Sequence, residues 1–277
     1  SIAYLFPQHT PKFGVPNLQA EPCFFQPPPI NLPSPLPTPL TDALNKAEED
    51  LKALLADNKS CLAPGMSASA VYKDKIIWTF NLGEKDTTTK LPPDGDTLFR
   101  IGSVTKIFPT LLLYQAASDP NIDLSLDDPV AKQVPSFKIQ DPFGASAALT
   151  WRALASQMSG LPREAPCSFT HCDGPTDVIL ERLAERRVIS PQWHRPSYSN
   201  LAFSLIGNLI AEKVYNTAFE TMVSENITSK LGMRDTGNDF TPSVRARMAT
   251  GYYPNGDPVE LFDLAWSRPA GQMYSSA

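Results

Sequence analysis

Apolar residues recur at helical spacing near the start of the chain. Leu44, Ala47, Leu51, Leu54 and Leu55 share one stripe, which predicts an amphipathic helix over 44–57 with Thr41 or Asp42 as its cap. The period then changes to two. Ala68, Ala70 and Tyr72 on one side of Lys73-Asp74-Lys75, and Ile76, Trp78 and Phe80 on the other, predict a pair of strands within 67–80. A polar, proline-containing stretch over 88–96 leads into Leu98-Phe99-Arg100-Ile101, and a helix is expected from Ser103 to about Ser118. Beyond Leu124 the spacing is helical again. A short helix start lies in 125–134, and helices are expected over 150–158, 176–187, 202–215 and 219–231. Thr150 is the expected cap of the first of these, Ser159-Gly160-Leu161-Pro162 its stop, and Gly232 the stop of the last. Strand pattern returns weakly over 251–261, and no internal repeat stands out.

Strands first and a long helical stretch afterwards predict an α+β fold of the α/β sandwich kind. An antiparallel sheet lobe would pack against an all-helical lobe, with the active site at their junction. Two strands alone are marginal, and few further candidates precede Ala277. The domain is therefore expected to be truncated on its C-terminal side, with its remaining strands on a companion fragment.

Composition changes the picture at the N-terminus. The 28 prolines are about twice the usual ~5%. They crowd into 7–39, where Pro27-Pro28-Pro29 and the alternating Pro33, Pro35, Pro37 and Pro39 favour extended chain. The expected organisation is a proline-rich arm over 1–40 and one domain over 41–277. Within that domain, 41–110 would begin the sheet lobe and carry the Ser103 helix, 111–250 would be mostly helical, and 251–277 would return toward the sheet.

The net charge of −5 and the lack of a basic run leave nucleic acid without an electrostatic footprint. The longest apolar runs, such as Leu111 to Leu113, are far short of the roughly 20 residues that span a bilayer. Four cysteines allow three pairings. The favoured one closes a small ring between Cys167 and Cys172 and joins Cys23 to Cys61. Asn58-Lys59-Ser60 and Asn226-Ile227-Thr228 are glycosylation sequons. Together with the low lysine content, these features favour a secreted protein whose leader has been removed.

The chemistry concentrates in Gly102-Ser103-Val104-Thr105-Lys106. A hydroxyl becomes nucleophilic when a neutral amine beside it removes its proton, and apolar neighbours such as Val104, Ile107 and Phe108 would keep Lys106 neutral. Ser-x-x-Lys arises by chance about once in a chain this long, so context must carry the assignment. Tyr198-Ser199-Asn200 supplies that context: a phenol beside an ammonium ionises easily and handles protons, and Asn200 would hold substrate or orient Lys106. A second Tyr-x-Asn, Tyr253-Pro254-Asn255, reads as turn chemistry. His9, His171 and His194 lack metal-site spacing, with His194 near enough to Tyr198 to line a cleft, and no phosphate loop is present. Trp151, Trp193 and Trp266 read as core or cleft walls.

Taken in order, these segments resemble the serine β-lactamase and penicillin-binding-protein superfamily, closest to its class C β-lactamase, D-alanyl-D-alanine carboxypeptidase and lactamase-like esterase branch. The resemblance runs from about Pro64 to Ala277. It is carried by Phe99 to Lys106, Gln157 to Pro162, Tyr198-Ser199-Asn200 with Leu205-Ile206-Gly207, Leu231 to Thr236, and Pro269 to Ala277. It implies an acylated nucleophile at Ser103, a general-base partner at Lys106, a proton shuttle at Tyr198 and a substrate contact at Asn200. The Ser103 N–H would form half of an oxyanion hole, with no cofactor or metal. Implied substrates are esters, D-amino-acid amides or β-lactams, as small molecules or short peptides. The family's third motif, Lys-Thr-Gly or His-x-Gly, is absent from these 277 residues. One missing oxyanion donor costs ~3 kcal/mol, so the piece alone is expected to be nearly inactive. The alternative reading is a non-catalytic binding or scaffold protein. Pro109 is a second departure, expected to bend the Ser103 helix unless that helix begins late.

Overall fold

The protein is described by a computed structural model covering residues 33–57, 63–73, 75–144, 148–164, 166–168 and 170–277. His9, Cys23, Asn58, Cys61 and most of the expected proline-rich arm lie outside the described residues. The chain forms two compact units. One comprises Leu98–Met248 with Glu260–Ser276, and the other the described part of Thr10–Thr97 with Ala249–Val259.

In the second unit, helix α1 runs over Thr38–Ala56, starting before Leu44. The last of the crowded prolines explains the early start. Pro39 stands in the first turn, where an N–H has no intrahelical partner and the fixed φ of proline suits a helix. The Thr41 hydroxyl donates to the Pro37 carbonyl (3.4 Å) instead of capping. Leu44, Ala47, Leu51 and Leu55 are half-buried, while Leu54 is exposed. Strands β1 (Gly65–Tyr72) and β2 (Lys75–Gly83) form an antiparallel hairpin with a register shift between Ala70 and Val71. No strand forms over 251–261. Tyr252 and Pro258 make a single bridge around a Tyr253–Gly256 turn, and Pro254 and Pro258 lack the donors that would extend a ladder.

The first unit is mostly helical, so the fold is mixed α/β with small antiparallel sheets. Helix α2 (Ile107–Ser118) is apolar nearly all round, which suits a surrounded helix, and Leu112, Leu113 and Ala116 are fully buried. It does not begin at Ser103. Gly102–Lys106 is a 3-10 turn, so Pro109 falls in the first α-helical turn, where its missing N–H costs little. The shared core draws on α3 (Val130–Gln133), α4 (Trp151–Ala155), α5 (Thr176–Ala184), α6 (Asn200–Asn208) and α7 (Phe219–Val223). Thr150 caps α4 by accepting from the Ala153 N–H at 3.2 Å. The buried indoles of Trp151 and Trp266 donate to Gln133 and Thr176, both at 3.0 Å. The long helices expected over 202–215 and 219–231 are shorter, because each widens into a π-helical turn, Leu209–Val214 and Ser224–Thr228.

Two helices carry no legible sequence pattern. Helix α8 (Pro242–Arg247) buries no residue, and α9 (Arg268–Gly271) has four residues. Strand β3 (Phe99–Arg100) pairs antiparallel with β4 (Tyr274–Ser275), and the other edge of β4 meets Gly237. Helix α9 is held at its start. Arg268 grips Asp263 with Nε (2.8 Å) and Nη2 (2.5 Å), and reaches Glu220 (2.9 Å) with Nη1. Pro269 lies so close to Gly207 of α6 that a Cβ there would sit 2.4 Å from the proline Cβ.

Two outcomes follow from this packing. Alanine is favoured over glycine inside a helix by ~1 kcal/mol, but the overlap with Pro269 outweighs that preference. Gly207→Ala should therefore destabilise by about 1–3 kcal/mol, measured by urea denaturation. Arg268 holds the Asp263 carboxyl down at about 2. As pH falls from about 4 toward 2, the unfolded chain takes up a proton that the folded chain does not, so stability is lost in that window. Asp263 is partly exposed, so screening reduces its contribution to about 1 kcal/mol. Asp263→Asn should flatten the acid limb of the melting-temperature profile by a corresponding amount.

Candidate active site

The 3-10 turn at Gly102–Lys106 decides how Ser103 and Lys106 meet. Side chains three residues apart eclipse in a 3-10 turn, so the two fall on one side at close range. Gly102, at φ +51°, permits the abrupt change from β3 into this turn. Thr105, fully buried, accepts from the Met273 N–H (3.1 Å), and the Ile101 N–H donates to the Met273 carbonyl (2.9 Å). The turn is thereby tied to the segment between α9 and β4.

Tyr198-Ser199-Asn200 is held by a socket built from Gln157 to Arg163. The Ser199 N–H donates to Gln157 Oε1 (2.7 Å), and the Ser197 N–H to the Gln157 carbonyl (2.8 Å). Ser199 Oγ donates to the Pro162 carbonyl (2.7 Å) and accepts from the Ala202 N–H (3.1 Å), making it the cap of α6. The Arg163 carbonyl accepts from the N–H groups of Asn200 (3.0 Å) and Leu201 (3.3 Å). The middle residue of the motif is thus structural, and it aims the outer two.

The result brings four predicted residues together. Tyr198 Oη and Ser103 Oγ are 2.5 Å apart. Lys106 Nζ lies 3.2 Å from Ser103 Oγ and donates to Asn200 Oδ1 (2.7 Å) and the Ala270 carbonyl (2.6 Å). The amine also faces the rings of Tyr198 (4.8 Å) and Phe203 (5.6 Å). Lys106 is only 8% exposed, whereas Tyr198 is 41% exposed and Ser103 is open to solvent.

Burial pulls the Lys106 amine below the usual lysine range, against the opposing pull of Tyr198 and Glu164. Burial alone would raise the Tyr198 phenol. Interaction with Lys106 and the hydrogen bond to Ser103 outweigh it, and the net shift is downward. The acceptors around Lys106 are informative. Asn200 Oδ1 and the Ala270 carbonyl can only accept, so a neutral amine keeps its two N–H bonds on them and turns its lone pair toward Ser103.

Asn200 is almost fully buried, with both ends of its amide engaged: Oδ1 on Lys106, and Nδ2 donating to Glu164 Oε1 (2.6 Å). Glu164, Arg163 and the Ala270 carbonyl are parts of the site that sequence reading misses. Arg163 and Glu164 directly follow the Gln157–Pro162 turn, and that position is their one sequence signal. The Arg163 guanidinium stands 4.8 Å from the Tyr198 ring. A backbone carbonyl such as Ala270 leaves no sequence signal at all.

The remaining candidates lie elsewhere. His194 is exposed in the turn closed by its N–H on the Pro191 carbonyl (3.3 Å), Trp193 is exposed, and His171 is exposed with Nδ1 against Thr170 Oγ1 (2.7 Å). Cys167 and Cys172 form a disulfide. Asn226 is half-buried in the Ser224–Thr228 turn, with Lys230 donating to its Oδ1 (3.4 Å). Among the described residues no group of three His, Cys, Asp or Glu side chains could hold a metal, and no helix is long and apolar enough to cross a membrane.

Comparison with known proteins identifies the family and the fold. A human beta-lactamase-like 1 protein is 39% identical over 264 residues, covering 92% of this chain and 51% of the relative. Beta-lactamase-like protein 2 of Dictyostelium discoideum is 36% identical over 269 residues, covering 92% of this chain and 47% of the relative. The chain therefore spans about half the length of these relatives. The crystal structure of D-alanine carboxypeptidase AmpC from Burkholderia cenocepacia superposes with a TM-score of 0.69 at 26% identity, covering 86% of this chain and 62% of the other. A class C β-lactamase from Rhodobacter sphaeroides gives 0.69 at 25%, with 84% and 62% covered. The family model described as Beta-lactamase matches residues 47–277, and the chain belongs to that family, on its class C β-lactamase and D-alanine carboxypeptidase branch.

Proposed function

We propose that this chain carries the nucleophilic half of a serine acyl-transfer hydrolase. The observation that carries the reading is the shared contact of Ser103 Oγ with Tyr198 Oη and Lys106 Nζ. Ser103 Oγ attacks a carbonyl carbon, and its proton passes to the Lys106 amine. The bond to the leaving oxygen or nitrogen breaks as Tyr198, recharged from Lys106, delivers a proton to it. Water then hydrolyses the acyl-enzyme. The Ser103 N–H supplies one oxyanion donor.

The substrate class in this reading is an ester, a D-amino-acid amide or a β-lactam, each presenting a carbonyl to the same hydroxyl. Asn200, with both ends of its amide engaged by Lys106 and Glu164, serves the amine first in this reading. The Lys-Thr-Gly or His-x-Gly motif, on which the resemblance puts the second oxyanion donor, does not occur in these 277 residues. The same proposal places the protein in an oxidising, extracellular setting, which the Cys167–Cys172 disulfide supports.

Fluorophosphonate or fluorescent-penicillin labelling tests the acyl-enzyme. Labelling should localise to Ser103 and vanish in Ser103→Ala. No labelling of the full-length protein by either probe would leave the non-catalytic binding reading in its place. Lys106→Ala should slow labelling by roughly 10²–10⁴-fold, the range for loss of a positioned base. Because burial depresses Lys106, the rate should rise with pH along a limb whose midpoint lies below the ordinary lysine range. A pH-independent rate would remove Lys106 from the role of base.

A further inference from the structure

A single amide separates Glu164 from Lys106. Asn200 Nδ2 donates to the Glu164 carboxylate (2.6 Å), while Asn200 Oδ1 accepts from Lys106 Nζ (2.7 Å). A carboxylate on the NH₂ end of an amide polarises it and strengthens its oxygen as an acceptor. Asn200 is 5% exposed, so little water intervenes to screen this relay. The carboxylate also fixes which way the amide points, since only the NH₂ end can donate to it.

We propose that Glu164 is a positioning residue that, through Asn200, holds the Lys106 amine against Ser103 and biases it toward its protonated form, with Arg163 as the opposing charge. This inference rests on the reading of Ser103 and Lys106 as nucleophile and base.

The surroundings of Lys106 leave few rivals for this role. Helices α2 and α6 carry no charged residue. Helix α9 carries Arg268, which is committed to Asp263 and Glu220. Among the described residues, the charged or titratable groups that act on the amine are the Tyr198 phenol, Glu164 and Arg163. Burial lowers the amine; Tyr198 and Glu164 raise it; Arg163 lowers it further. Arg163 is placed to act on both partners, 4.8 Å from the Tyr198 ring and 3.6 Å from the Glu164 carboxylate. Adjacent residues of opposite sign thus pull the proton affinity of the amine in opposite directions, on top of the larger effect of burial.

Charge-neutral replacements separate this role from a structural one. Glu164→Gln keeps an acceptor for Asn200 Nδ2 and removes only the charge, and Arg163→Gln removes the opposing charge. The rate of fluorophosphonate labelling of Ser103 is followed against pH in the full chain and both variants. Glu164→Gln should move the acid limb to lower pH, with about three- to tenfold faster labelling there relative to its own plateau. Arg163→Gln should move the limb to higher pH. Loss of packing would lower plateaus without shifting the two limbs in opposite directions. A second readout needs no activity: the ¹³Cε resonance of Lys106, assigned by its loss in Lys106→Arg, should titrate in the same opposite order. If wild-type Ser103 is not labelled at any pH, the hydrolase reading fails and the resonance titration alone decides this inference. Unmoved midpoints in both variants, or movement in the same direction, would overturn it.

Discussion

A buried amine constrains everything around it. Lys106 can lie at 8% exposure only because acceptors replace the water it has lost, and leaving a buried donor without its acceptor costs about 1–3 kcal/mol. Its three partners come from three places: Ser103 within its own turn, Asn200 at the start of α6, and the Ala270 carbonyl in α9. Satisfying one side chain therefore sets the relative positions of all three. The same burial drives the amine toward the neutral form that a base requires.

Much of the remaining structure keeps those acceptors in place. Gln157, Pro162 and Arg163 bind the backbone and cap of Tyr198-Ser199-Asn200, so a loop with no reacting group of its own aims two polar side chains. Gly207 lets α9 approach α6, and the Arg268 grip on Asp263 and Glu220 anchors the start of that short helix. Pairing of β3 with β4 and the bond from Met273 to Thr105 fix the turn that carries Ser103. Hydrophobic burial supplies the mass of the core, and a small set of directed polar contacts supplies the precision of the site.

Legibility followed periodicity. The β1–β2 hairpin and the Thr150 cap of α4 were readable because side-chain spacing or a local hydrogen bond specifies them. Helix α8 buries nothing, and α9 is a single turn, so neither has a stripe to read. The start of α1 at Thr38 was hidden by prolines that read as extended chain until Pro39 is placed in a first turn. At the site, Ser103, Lys106, Tyr198 and Asn200 were found by residue type and order. Glu164 was not, because a carboxylate next to an arginine on a loop looks like ordinary solvated surface until Asn200 Nδ2 is seen to reach it.

By itself, the sequence determined which groups are present and that their order matches the Beta-lactamase family, since residue identity and short-range spacing are local properties. It also determined the apolar content that buries Lys106 somewhere. Tertiary structure alone decided that Ser103 sits in a 3-10 turn, and that Tyr198 crosses 95 residues of chain to meet it. It also decided that Asn200 faces the amine and that a peptide carbonyl 164 residues away completes the shell. Such contacts depend on how α6 and α9 pack, and packing is a property of the whole core that no window of sequence contains.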